Sequence, residues 1–306
     1  MQIIPPVERG LLIAELSKYP NRTTKRLGNE IYIVSATNCP YVMLEIGRLR
    51  EVTFRAAGGG TGKEVDIDEF DYSFSHIVLW DPNDQEIIGS YRGTLMKELK
   101  TGERIHSPNA QLFNFSKKFI SDYLPYTIEL GRSFIQPKYQ PRVDNKNGIF
   151  SLFNLFSGLE CLIDIYPDMK YFFGKFTMYS HYDVRARNLL LNYLKRKFPD
   201  PEKLVRPKKE VRLNLGYVRK NLFLLQTIFN QNSFKEEKKL LESYLKQYGE
   251  YIQPLVDIYM SLSSTMKVFG GVHYKEFGNV DETGILVNIL DIHPEIIDKY
   301  RKNLIE

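Results

Sequence analysis

Apolar positions alternate along this chain between a period of two and a helical period, and the switches mark its elements. Residues 6–18 have helical spacing that Pro20 and Asn21 close. Glu30 to Ser35, rich in Ile, Tyr and Val, predicts a first strand. Asn38 and Pro40 open a helix running to about Arg55, because proline suits a first turn. Arg50 and Phe54, four apart, share one of its faces. In residues 56–64, four glycines within five positions hold neither helix nor strand, which predicts a mobile loop. His76–Trp80 and Glu86–Gly93, joined at Asp81-Pro-Asn-Asp84, predict a hairpin. Residues 94–110 read as irregular, 111–124 as a helix, and Glu129–Ile135, shortly after Pro125, as a buried strand.

The second half continues with an apolar core helix over Gly148–Ile165, a strand over Tyr171–Tyr179, and a helix over Val184–Phe198 capped by Asp183. Phe234–Tyr248 predicts an amphipathic helix and Pro254–Leu262 a further one. Met266–Tyr274 and Ile285–Asp291 predict the last strands, and Pro294 starts a short terminal helix. No unbroken run of about 18 apolar residues is present, so no spanning helix is expected. This mixture around an early hairpin argues an α/β (α+β) fold with a mixed sheet and helices on both faces. The expected organisation is a helical extension over 1–29, a core over 30–205, a basic and helical insertion over 206–250, and a part over 251–306 that completes the same domain.

At 306 residues and 43% hydrophobic, the chain has length enough for a large core. Two cysteines, Cys39 and Cys161, make neither a disulfide framework nor a metal site. The opening MQIIPPVERG lacks the form of a signal peptide, and a reducing cytoplasm is the expected setting. Charge is uneven: residues 195–220 hold ten Lys/Arg against three acids, a net of +7, so the rest is −2 of a total of +5. Such a run is either a solvated connector or a docking surface for an acidic protein, anionic lipid or nucleic acid. Lys195, Arg196, Lys197, Arg206, Lys208 and Lys209 are the candidate docking residues, with Arg219 and Lys220 at the end of the run. Nucleic acid is not expected, because only Tyr193 and Tyr217 flank the run and only Phe198 lies inside it.

The chemistry centres on Glu129 and Arg132, an acid and a base in an apolar strand. Regular alternation sends them to opposite faces, but a bulge, which Gly131 permits, brings both to one site. Gly62-Lys63 imitates the end of a phosphate loop, yet Ala57 stands where its first glycine belongs and Glu64 where Ser or Thr belongs. Asp66, Asp68, Glu69 and Asp71 read as an exposed acidic turn. The histidines at 76, 106, 181, 273 and 293 have no metal-ligand spacing.

In order, the chain presents Arg50-x-x-x-Phe54, a loop, Asp68-x-x-Asp71, a hairpin ending Gly89-x-x-Arg92, and Glu129-x-x-Arg132. His76-x-x-x-Trp-Asp81 opens the hairpin, and Pro254-Leu255, Tyr259, Phe277 and Asp291 follow at the far end. This series resembles the acyl-homoserine-lactone synthases. It is more similar still to the hemolysin-like acyltransferases that N-acylate ornithine or glycine to lipoamino acids. Departures are Glu276 before Phe277 and the run Ser263-Ser264-Thr265, both where the acceptor wall is expected.

The resemblance implies a GNAT fold with a splayed central sheet. It also implies transfer of a fatty acyl group from an acyl carrier protein thioester to a small amino acid, with no metal and no cofactor beyond the thioester. Acyl-CoA is the alternative donor. Gln136-Pro-Lys-Tyr-Gln-Pro141-Arg142 replaces the GNAT pyrophosphate loop, and its prolines leave few N–H groups to cradle a diphosphate. Glu129 is the expected base, Asp68 the second choice, and Arg132 a catalytic partner. Arg50, Phe54, Asp71 and Arg92 are expected to bind substrate. A lipid product implies peripheral membrane contact. The competing expectations are a non-catalytic lipid or nucleic-acid binder on the same scaffold and a coenzyme-A-dependent acetyltransferase.

Overall fold

The structure, a computed structural model, describes residues 1–141, 148–215 and 219–305, without the side chains of 219–222. Arg142, Tyr217 and the side chains of Arg219 and Lys220, singled out above, lie outside the described residues.

The chain opens with α1 (Arg9–Leu16), β1 (Asn21–Thr23), β2 (Glu30–Ser35) and α2 (Pro40–Ala56). A hairpin of β3 (Ser75–Asp81) and β4 (Glu86–Leu95) follows, then a minor one of β5 (Lys100–Thr101) and β6 (Arg104–Ile105), then α3 (Pro108–Leu112) and β7 (Phe113–Phe115). Next come β8 (Thr127–Ile135), α4 (Gly148–Ile165), β9 (Tyr171–Met178), α5 (Val184–Lys197) and β10 (Val205–Pro207). Then follow α6 (Arg219–Phe229), α7 (Phe234–Lys246), α8 (Pro254–Leu262), β11 (Lys267–Tyr274), β12 (Val280–Asn288) and α9 (Pro294–Arg301).

One mixed sheet runs β1-β2-β3-β4-β8-β9-β12-β11. Its neighbours pair antiparallel except β8 and β9, which are parallel and joined only from Thr127–Tyr171 to Glu129–Phe173. Past Glu129 the two strands separate, and this gap is the splay. On one face α2 packs through Val42, Ile46 and Leu49, with Val78 and Phe134 in the same cluster. On the other, α4 packs Leu155 and Leu162 against Ile77, Tyr91 and Ile128. Beyond the splay, α5 supplies Leu189, Leu190 and Leu194 to a core that also takes in α6, α7 and α8.

Several expectations are corrected. Residues 111–124 are not one helix: Phe113–Phe115 pairs with Val205–Pro207, and Phe119–Tyr123 forms a separate turn. Aromatic stacking decides this, with Phe115 on Phe119 at 4.9 Å and Phe119 against Phe173 at 6.0 Å. The last strand starts at Val280, because Asp281 and Glu282 are neutralised by Arg187 and Lys175 and so sit inside it. The basic connector is no solvated linker: His273 N–H donates to Val211 O at 2.7 Å and Leu213 N–H to Gly271 O at 2.9 Å, which covers the edge of β11. The helices within 206–250 join the α5 core rather than standing apart. Residues 1–29 add an edge strand as well as a helix. Contrary to expectation, α4 is long and apolar enough to cross a bilayer by length and composition, though half of it is buried in the fold.

Candidate active site

Register brings the site residues to one face. Cross-strand partners share a face, and His76 on β3, Arg92 on β4 and Gly131 on β8 are partners. Two residues along, Thr94 pairs with Glu129, which pairs with Phe173 on β9. Between Ser90–Phe134 and Arg92–Gly131, β8 holds one residue more than β4, which is a bulge. Arg132 takes the left-handed conformation there (φ 54°), rather than Gly131. An arginine in that region is strained by roughly 1 kcal/mol, and its ion pairs hold it. Its Nε lies 3.0 Å from Asp66 and its Nη2 3.5 Å from Asp68, and its guanidinium stacks 4.4 Å over Phe277.

The Asp68-x-x-Asp71 spacing makes a reciprocal cap on a short 3₁₀ turn. Phe70 N–H donates to Asp68 at 3.0 Å and Asp68 N–H to Asp71 at 2.9 Å. This folds the acids inward, against the expectation of an exposed turn: Asp66 and Asp71 are buried. Arg50 reaches Asp71 at 2.8 Å from α2, and Arg92 holds Asp71 at 2.7 Å and Asp68 at 2.5 Å. His76 Nε2–H donates to Asp71 O at 2.9 Å, and its Nδ1 accepts from Arg50 at 3.5 Å. Burial and the Arg50 charge push His76 down to about 4, so it is neutral at pH 7. Burial works against the Asp71 carboxylate, but Arg50 and Arg92 hold it below its ordinary range.

The expected grip on substrate by Arg50, Asp71 and Arg92 is therefore revised. Arg50 and Asp71 are completely buried and Arg92 is 2% exposed, with the arginine forks spent on internal carboxylates. Phe54, buried against Phe134 and Phe277 (centroids 6.3 and 5.1 Å), supports the ring beneath Arg132. Among Arg50, Asp68, Asp71, Arg92, Glu129 and Arg132, those that reach solvent are Asp68 (side chain 29% exposed) and Arg132 (14%).

Glu129 sits at the last rung before the splay. Its Oε1 accepts the Asn109 N–H at 3.0 Å at the start of α3. Its Oε2 is buried, with no hydrogen-bond partner among the described residues, and the Ser107 hydroxyl nearby works against the rise that burial causes. Burial raises its pKa above the ordinary carboxylate range. Gly131, next on the same face, leaves a notch: a Cβ built there meets only Arg92 Nε, at 3.9 Å. That Nε is itself buried and unpartnered. A buried acceptor and a buried donor without partners thus stand on neighbouring strands at the last rungs before the gap.

Across it, Lys175 on β9 pairs with Glu282 on β12 at 2.7 Å, beside the Tyr274 ring. Sequence reading missed both residues. The one available signal was the i, i+2 spacing of Phe173 and Lys175 in the predicted strand. Two cavities, about 180 Å³ near Tyr171 and Asp291 and about 380 Å³ near Tyr139 and Asp81, lie away from this cluster.

The glycine-rich stretch is tied to α2 in this structure. Gly58, Gly60 and Gly62 take positive φ, and buried Glu51 accepts from Thr61 N–H (3.1 Å), Thr61 Oγ1 (2.8 Å) and Gly62 N–H (2.7 Å). Of the basic residues, Lys195, Arg196, Arg206 and Lys209 are exposed, and Lys208 is half-buried. Lys197 is tied to Glu237 at 2.7 Å.

Residues 49–144 match the acetyltransferase (GNAT) domain. The chain is 43% identical over 297 residues to a glycine N(alpha)-acyltransferase of Phocaeicola vulgatus, covering 95% of this chain and 90% of that protein. It is 44% identical over 298 residues to a glycine N(alpha)-acyltransferase of Bacteroides thetaiotaomicron, covering 95% and 87%. No solved structure matches significantly.

Proposed function

The chain belongs to the GNAT acyltransferases, in the family of the two glycine N(alpha)-acyltransferases it matches, and on that premise we propose that it acylates glycine with a fatty chain delivered by an acyl carrier protein. The product is then a lipoamino acid, as in the hemolysin-like acyltransferases that its motif order resembles. The observation carrying the reading is the pair of buried groups without partners among the described residues, Glu129 Oε2 and Arg92 Nε, the latter beside the notch over Gly131 where the sheet splits.

The glycine amine must lose a proton to attack the thioester carbonyl. Glu129 Oε2 accepts it, and burial, which raises its pKa, makes it a stronger base than an exposed carboxylate. As the amine attacks, charge builds on the carbonyl oxygen. Arg92 Nε–H is positioned to donate to that oxygen, and a donor of this kind contributes roughly 3–4 kcal/mol. Peptide groups of β8 past Glu129 face the gap without a strand partner, so they can bond the amides of an extended pantetheine arm. The intermediate then collapses as the C–S bond breaks, and the remaining excess proton on nitrogen passes to the departing thiolate, giving amide and thiol. Asp68 and Arg132, at the rim, position the bulge. Arg50 and Asp71 act beneath them as positioning residues.

Two observations favour a carrier protein over coenzyme A. The N–H groups of Gln136, Tyr139 and Gln140 after β8 donate to Ile88, Gln136 and Pro137 oxygens, and Pro137 has none, so few remain for a diphosphate. Lys195, Arg196, Arg206 and Lys209 offer exposed positive charge to an acidic partner. An amphiphilic product also fits a cytoplasmic enzyme working at the inner membrane face.

The test is purified enzyme with glycine and either palmitoyl-carrier protein or palmitoyl-coenzyme A, with products read by mass spectrometry. N-palmitoylglycine formed faster from the carrier is expected. Absence of that product from both donors would overturn the reading.

A further inference from the structure

The parallel ladder sets one more residue against the notch. Glu129 pairs with Phe173, so the next residues on the same face of the two strands are Gly131 and Lys175, just where the ladder stops. The Lys175 side chain is 11% exposed, its Nζ 2.7 Å from Glu282 and 5.8 Å from the centre of the Tyr274 ring. We propose that Lys175 seats the carboxylate of the amino-acid acceptor, taking it as a second anion beside Glu282 while the acceptor amine faces Glu129 across the notch.

Charge and reach carry this inference, which rests on the acyl-transfer reading above. Glycine holds its amine and carboxylate one carbon apart, so its receptor needs an acceptor and a cation on the two walls of one narrow space. Glu129 Oε2 is the unpartnered acceptor on the β8 wall. Among the described residues on that wall, the Arg50 and Arg92 forks are spent on Asp68 and Asp71, and Arg132 is held by Asp66 and Asp68. Lys175 faces them from β9. An ammonium has three N–H donors, and the ion pair with Glu282 leaves capacity for a second carboxylate. At Gly131 the β8 wall is recessed, since a Cβ there would meet only Arg92 Nε, at 3.9 Å.

The experiment compares glycine with glycinamide, which keeps the amine and lacks the carboxylate, using wild type, Lys175→Met and Lys175→Arg. Lys175→Met should lower kcat/KM for glycine by about 10- to 100-fold, mostly through KM, which is what loss of a charged hydrogen bond removes. Its kcat/KM for glycinamide should stay within a few-fold of wild type, and Lys175→Arg should recover part of the loss on glycine. Equal losses on both acceptors would make Lys175 a structural ion-pair residue and overturn the seat alone, as would an unchanged KM for glycine. A wild-type enzyme inert toward glycine would instead remove the parent reading and the seat with it.

Discussion

Replacing Glu129 by glutamine removes the base and leaves the shape. The amide keeps an Oε1 to accept the Asn109 N–H now held at 3.0 Å, and the atom it changes, Oε2, has no partner to lose. The catalytic loss should be roughly 10²- to 10⁴-fold in kcat/KM. Stability should move the other way. Burial raises the Glu129 pKa, so the folded state favours the protonated acid. That contribution is fully present below the unfolded pKa and is lost as pH rises through the folded value. Glutamine does not titrate, so above the folded pKa the variant should melt at or above the wild-type temperature. Thiol release followed by a sulfhydryl reagent measures the first effect, and thermal melts from pH 5 to 9 measure the second. Turnover within tenfold of wild type would refute Glu129 as the base. A variant whose stability falls relative to wild type as pH rises would refute the account of its burial.

Asp71→Asn leaves Arg50, completely buried, facing a neutral amide, and should cost about 3–5 kcal/mol in a denaturant titration. The neutral, buried His76 predicts acid sensitivity: its folded pKa, near 4, lies below the unfolded value, so stability is complete above about pH 6.5 and is lost as pH falls through 4. That loss is roughly 3 kcal/mol, and a His76→Gln variant should show a shallower decline over the same window in pH-dependent urea melts. Reversing charge at Lys195, Arg196, Arg206 and Lys209 should raise KM for the carrier-bound donor and remove its salt dependence, with transfer from free acyl-pantetheine unchanged. Steady-state kinetics at two ionic strengths would detect either failure.

Elements with a strong period and clear punctuation were legible from the residues. Strand Glu30–Ser35 and helices Gly148–Ile165 and Pro254–Leu262 fall where the pattern sets them. What tertiary contact decides was not. Residues 111–124 have helical spacing, but Phe113, Phe115 and Phe119 gain more by packing with Phe173. Asp281 and Glu282 resemble a loop until Arg187 and Lys175 arrive from neighbouring elements.

The site was legible in part. The need for a bulge between Glu129 and Arg132 follows from alternation, yet its place at Arg132 depends on Asp66 and Phe277, far off in sequence. The order of the acids and arginines told that they meet. It could not tell that Arg50 and Asp71 would be sealed beneath the surface, because depth depends on helix and strand packing. Lys175 was invisible because its meaning lies in a register between two strands that scarcely touch.

The brevity of that parallel ladder has a mechanical consequence. Three residue pairs make up the backbone ladder between β8 and β9, and beyond them side chains hold the two sides, as where Phe277 and Val280 pack with Phe54 and Phe134. A linear guest lying in the gap would supply the missing rungs. Occupancy by donor should therefore slow hydrogen exchange at the β8 amides past Glu129, compared with the same amides when no thioester is bound.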